Sequence, residues 1–161
     1  MTATLHSEGD QQTLRFERVY RRPAADVWQT VTDPELMAAW FPARVDCPEP
    51  VAGAPMTFTF EGDDGPPSTG TVDEVVEPSV FAFTWDGDRI RLELTEEGEE
   101  KTQLVLIASF EGRDWAVRNA AGWHICLDLL KSTLADEPPK SSVGKRQSQL
   151  LKEYETLFRD S

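Results

Sequence analysis

This sequence has little of what site chemistry usually needs. Its 161 residues include two cysteines, two histidines, and 16 basic side chains against 29 acidic ones. Cys47 follows a strand-like stretch and Cys126 lies in a helical one. A framework disulfide is therefore not expected, and both read as buried, reduced thiols. His6 sits in a polar stretch at the start, so His124 is the one imidazole in a patterned segment. On a helix His124 and Cys126 point about 200° apart and cannot ligate one metal ion together. No metal site and no cofactor are expected. The acidic turns at Asp63-Asp64 and from Glu96 to Glu100 lack the alternating oxygen spacing of a calcium loop and read as solvated hairpin tips.

The formal net charge of −13 repels phosphate backbones and anionic lipid surfaces, so no nucleic-acid partner is expected. Mean hydropathy is −0.45 and no apolar run approaches twenty residues, which excludes a spanning helix and membrane insertion. No basic start leads into an apolar segment, so no secretory signal is expected and the chain is placed in the cytoplasm.

What is present is a folding pattern. Eight Phe and five Trp within a 39% hydrophobic composition are too many for disorder, and the length suits one domain. Thr13 to Arg21 reads as a half-buried strand. Pro23 then opens a short helix, with Val27 and Val31 one turn apart and Trp28 beside them. Asp33-Pro34 caps and starts a second short helix ending near Trp40 and Phe41.

From Ala54 to Phe110 the period becomes two: Met56, Phe58 and Phe60; Phe81, Phe83 and Trp85; Ile90, Leu92 and Leu94. Turn sequences between them, with Asp86-Gly87 the strongest hairpin signal, imply an antiparallel meander. Thr102 to Phe110 is apolar on both faces and is expected inside the sheet. Arg113 to Ala135 reads as one helix of roughly 34 Å. Its Ala116, Ala120, Trp123, Leu127, Leu130 and Leu134 recur at spacings of four and three, a single stripe for the sheet. A polar linker follows, and Leu150, Leu151, Tyr154, Leu157 and Phe158 mark an amphipathic tail helix that needs a partner surface, most simply its own domain and otherwise another chain. The expected class is α+β: a flexible lead-in over 1–12, a domain over 13–135, and a linker with tail helix over 136–161.

Pro23, Val27-Trp28, Thr32-Asp33-Pro34-Glu35, Trp40, Gly70 with Val72, Glu77-Pro78, Phe83-Thr84-Trp85 and Gly122-Trp123 with Leu127 together carry a resemblance. They are similar to the activator-of-heat-shock-protein-ninety-ATPase homologue family, in the START-like, birch-pollen-allergen-like SRPBCC superfamily. The resemblance implies a helix-grip fold, a curved seven-stranded antiparallel sheet around the long C-terminal helix with two short helices after the first strand. It also implies an apolar cavity for a hydrophobic small molecule, with cyclase- or hydrolase-like enzymes as the second class. A chaperone partner is implied by the eukaryotic namesake alone, whose separate N-terminal chaperone-binding domain is not in this sequence. An interaction module acting through the tail helix or the acidic face is the third expectation, and a homodimer through a sheet edge or the tail is another.

Trp40, Phe41, Phe58, Phe83, Trp85, Trp115 and Trp123 are the candidate apolar lining, with core packing the ordinary role of any one of them. Asn119, Arg118 and Arg44 are the polar side chains able to orient a ligand. His124 and Asp128, one helical turn apart, form the sole acid–base candidate pair, expected to face solvent on the back of the helix. No reaction is assigned from these residues.

Overall fold

Alternation of apolar and polar residues sets which backbone segments pair, and the pairing follows it closely. In the computed structural model, which describes residues 2–60, 65–138 and 142–159, eight strands form one antiparallel sheet. They are β1 (Thr4–Glu8), β2 (Gln11–Tyr20), β3 (Arg44–Asp46), β4 (Pro55–Thr59), β5 (Ser68–Val76), β6 (Val80–Trp85), β7 (Asp88–Gly98) and β8 (Lys101–Glu111). The order across the sheet is β1-β2-β8-β7-β6-β5-β4-β3. Thus β3 to β8 form a meander that returns to β2. The expected turn at Asp63-Asp64 and positions 139–141 of the linker lie outside the described residues.

Register explains the core. Phe16 faces Leu106, Leu106 faces Leu92, and Leu92 faces Phe81 across consecutive strands. A second row runs from Leu14 through Ala108, Ile90 and Phe83 to Val72. All of these side chains are buried, so one continuous face of the sheet is apolar.

That face needs a cover, and the helices supply it. Helix α1 (Ala24–Thr32) presses Val27, Trp28 and Val31 inward, with Trp28 edge-on to Phe81. Pro23 stands one step earlier than expected, at the N-cap. The Asp33 carboxylate accepts a hydrogen bond from the Glu35 N–H at 3.0 Å and starts α2 (Pro34–Met37), after which the Trp40 indole donates to the Thr30 carbonyl at 2.9 Å. A 3-10 turn (Arg113–Trp115) leads into α3 (Ala116–Leu134), so the expected 23-residue helix is a turn plus 19 residues. The Tyr20 hydroxyl donates to the Leu127 carbonyl at 3.1 Å, and Trp85 meets Trp123 edge-on at 6.2 Å. Contacts to α3 from β2 and β6, with two strands between them, mean the sheet bends around the helix.

One feature differs from expectation, and the tail takes the simpler of its two expected places. Residues read as a loose lead-in form edge strand β1, giving eight strands rather than seven. Its side chains are mostly exposed, so no apolar period marks it; backbone pairing with β2 holds it. The tail forms α4 (Val143–Arg159), whose Leu150, Tyr154 and Phe158 are buried in the same apolar cluster as the sheet. No helix of the described residues is long and apolar enough to cross a membrane.

Gly70 on β5 tests the tightness of the sheet. A Cβ there would lie 2.1 Å from the Thr84 carbonyl oxygen and 2.9 Å from the Phe58 ring. Gly70→Ala is expected to cost about 1–3 kcal/mol in chemical denaturation, the usual cost of overpacking; an unchanged midpoint would show that β5 and β6 part freely.

Candidate functional site

Large rings on a curved sheet either interlock or leave a crevice, and here they do both. Trp40, Phe41, Phe58 and Phe83 are buried deep in the interior. Phe41 meets Phe58 at 5.9 Å, Phe83 at 6.1 Å and Trp123 at 5.7 Å between ring centroids. Phe58 stacks on Trp85 at 4.8 Å. These four interior rings therefore fill space, and they do not line the crevice expected of them.

Above them lies a cleft of about 670 Å³, bounded by the β6–β7 hairpin, the end of β8 and the first half of α3. Trp85, Trp115 and Trp123 form its aromatic walls, with Phe60 and Phe110 beside them. The Asp86-Gly87 turn that carries one wall has φ of 50° and 92°, the left-handed pair a two-residue hairpin requires. Trp115, in the 3-10 turn, is 55% exposed and Phe60 is 38% exposed, so the rim is apolar as well as the depth. Gly122 forms part of the floor, and a Cβ placed there would meet nothing within 4 Å.

Polar groups enter from both sides. Asn119 donates through its side-chain amide to the Trp115 carbonyl at 3.0 Å, and the Arg118 guanidinium lies 5.7 Å from the Trp115 ring centroid. Asp86, Asp88 and Glu111 complete the lining. Burial, and then the neighbouring Asp86, hold the Asp88 carboxyl above the usual carboxylate range. Cys126 also borders the cleft, but burial pushes its thiol up to about 12, so it stays protonated and unreactive. Arg44 on β3 is exposed and lies outside the cleft. A broader depression of about 1070 Å³ at the far end of α3 is flanked mostly by charged side chains, among them Arg22, Lys101, Lys131 and Glu137. Among the described residues no three His, Cys, Asp or Glu side chains are grouped to hold a metal ion.

His124 is not where the pattern placed it. It is 3% exposed, beneath α4, edge-on to Phe16 of β2 at 6.4 Å, and away from the cleft. Its Nδ1 lies 2.7 Å from the Tyr154 hydroxyl, which also accepts the Ala3 N–H at 3.0 Å. Arg146 Nη2 lies 3.4 Å from Nε2, and a guanidinium can only donate, so Nε2 accepts and the neutral imidazole carries its proton on Nδ1, donating to the Tyr154 hydroxyl. Asp128 Oδ1 is 3.9 Å from Nε2, too long for a hydrogen bond, and Asp128 instead faces Arg146 at 3.4 Å. The pair expected on a solvated back is thus divided, its histidine buried by a hydroxyl thirty residues away. The signal was the tail stripe itself, in which Tyr154 sits between Leu150 and Phe158.

This junction gives a pH prediction. Burial first, with Arg18 and Arg146 also acting and Asp128 opposing, lowers the His124 pKa from 6.5 to about 4. The folded chain holds the ring neutral, so its stability is complete above pH 6.5 and falls as pH drops toward 4, where the unfolded chain binds the proton more readily. Urea titrations of His124→Gln are expected to lose that part of the pH slope; an identical slope in both proteins would refute it. Tyr154→Phe strands the Ala3 N–H and Nδ1 and should cost about 1–3 kcal/mol.

No curated protein matches this sequence. Among solved structures, the conserved protein of unknown function EF2215 from Enterococcus faecalis has a TM-score of 0.79 at 22% identity, over 96% of this chain and 91% of its own. CalU16 from Micromonospora echinospora has a TM-score of 0.73 at 19% identity, over 96% and 94%. The protein encoded by gene BPP1335 from Bordetella parapertussis has 0.71 at 27% identity, over 96% and 91%. These likenesses establish the fold. A family model described as Activator of Hsp90 ATPase homolog 1-like protein matches residues 21–135, most of the chain, and the protein belongs to that family, with its START-like helix-grip fold.

Proposed function

We propose that this protein binds a hydrophobic small molecule in the cleft between the sheet and α3, and that it does so without carrying out a reaction of its own. The observation that carries this reading is the cleft of about 670 Å³ walled by Trp85, Trp115 and Trp123. Its volume falls within the range of small-molecule sites, ~300–1,000 Å³, and it joins apolar walls to a few polar groups.

Gly122 supports the same reading. A glycine inside a helix costs about 1 kcal/mol relative to alanine, and this one meets no neighbour that would exclude a larger side chain. Packing does not demand it. What it does is keep the cleft floor open beside Trp123. Trp85, Trp115, Asn119 and Trp123 are the residues assigned to the ligand, while Trp40, Phe41, Phe58 and Phe83 brace them from behind.

Binding is favoured over cyclase or hydrolase chemistry because His124, the acid–base candidate of the sequence, borders α4 and not the cleft. It is favoured over a tail-mediated interaction module because Leu150, Tyr154 and Phe158 of α4 are buried inside the molecule. A cytoplasmic location goes with this reading.

Native mass spectrometry of freshly purified protein is expected to show a co-purified compound that is absent from Gly122→Leu, whose new side chain occupies the floor. Gly122→Ala should raise stability by about 0.5–1 kcal/mol. A folded Gly122→Leu protein that retained every bound compound would overturn the assignment of the cleft.

A further inference from the structure

We propose that the ligand of this cleft is a planar aromatic cation. The inference rests on the reading of the cleft as a binding site and adds the charge and shape of what it takes. The aromatic walls are the site; the carboxylates around them decide the charge.

Shape comes from the rings. Trp85 and Trp123 stand edge to face, 6.2 Å apart at 82°, and make a right-angled corner. Phe60 stacks parallel to Trp85 at 5.8 Å, extending one flat wall toward solvent. Trp115 is 55% exposed at the rim. Flat π surfaces of this kind favour flat partners, and their negative faces favour a positive charge.

Charge follows from the polar lining. Asp86, Asp88 and Glu111 face the cleft against one guanidinium, that of Arg118. Among the described residues none of these three carboxylates has an ion-pair partner. Burial first, and then Asp86 two residues away across the Gly87 turn, raise the Asp88 pKa; the two carboxylates repel each other, and a bound cation would relieve that repulsion. An anion would meet the reverse. The net charge of −13 adds a long-range field that concentrates cations and depletes anions near the whole surface.

Arg118 marks how the cation is held. Its guanidinium already lies over the Trp115 ring at 5.7 Å, the contact a cationic ligand would make with the same ring. It is therefore a competitor for that face rather than a clamp.

The full chain, titrated by fluorescence with proflavine (planar, cationic), Nile red (planar, neutral) and 1-anilinonaphthalene-8-sulfonate (anionic), tests this. Proflavine is expected to bind at least about tenfold tighter than the sulfonate at low salt, and to weaken as salt rises. Asp86→Asn with Asp88→Asn should remove that preference in a protein whose circular dichroism is unchanged. Arg118→Gln should tighten proflavine several-fold. Trp115→Ala and Gly122→Leu should each weaken it. If Nile red or the sulfonate binds as well as proflavine, and Gly122→Leu blocks them, the cation assignment fails while the cleft stands. Proflavine binding that survives Gly122→Leu would place the cation on the acidic surface and overturn the proposal. If no probe binds, the reading of the cleft itself fails.

Discussion

Burial of α3 on nearly every side is the constraint on which the other parts depend. From Trp123 to Leu127 five consecutive residues are buried, more than a helix lying on one flat sheet could hide. Each large side chain removed from water there contributes about 1.5–3 kcal/mol, so leaving one flank open would forfeit much of a small domain's margin. The sheet bends to cover one side through β2 and β6. On the flank that carries His124 the sheet covers one edge only, through Phe16 of β2.

The tail helix covers that flank. Tyr154 pairs with His124 and takes the Ala3 N–H, so one phenol joins the start of the chain, α3 and α4. This explains why β1 and α4, which lie with β2 outside the matched family region of residues 21–135, pack on the same apolar cluster as the rest. Arg22 contributes at the far end, donating to the Leu134 carbonyl at 2.5 Å and so satisfying a terminal acceptor of α3.

The cleft occupies a stretch near the start of α3 where this enclosure is incomplete. The β6–β7 hairpin turns away at Asp86-Gly87, α3 presents Gly122 instead of a side chain, and the 3-10 turn before α3 leaves Trp115 standing at the rim. Behind it the interior rings interlock, so the opening is shallow and aromatic and does not run through the core. A ligand held there meets rings on two sides and carboxylates at the mouth.

Much of the fold could be read from the chain because it is encoded by local period and turn chemistry. The Asp33-Pro34 start of α2, the Asp86-Gly87 hairpin, the stripe of α3 from Ala116 to Leu134 and the inward faces of β4, β6 and β7 each depend on residues a few positions apart. Which large rings line a crevice could not be read that way: Phe58 and Trp85 show the same alternation, yet one is sealed in the core and the other opens on the cleft. Strand β1 was silent because an edge strand with exposed side chains is held by backbone hydrogen bonds, which every sequence can make. His124 was misplaced because its surroundings come from Phe16 and Tyr154, distant in the chain. The elements and their inward faces are thus written in the chain, since they follow from spacing along the backbone. Tertiary structure alone decided where the cleft opens and what seals His124, since both depend on side chains that meet only when remote segments pack.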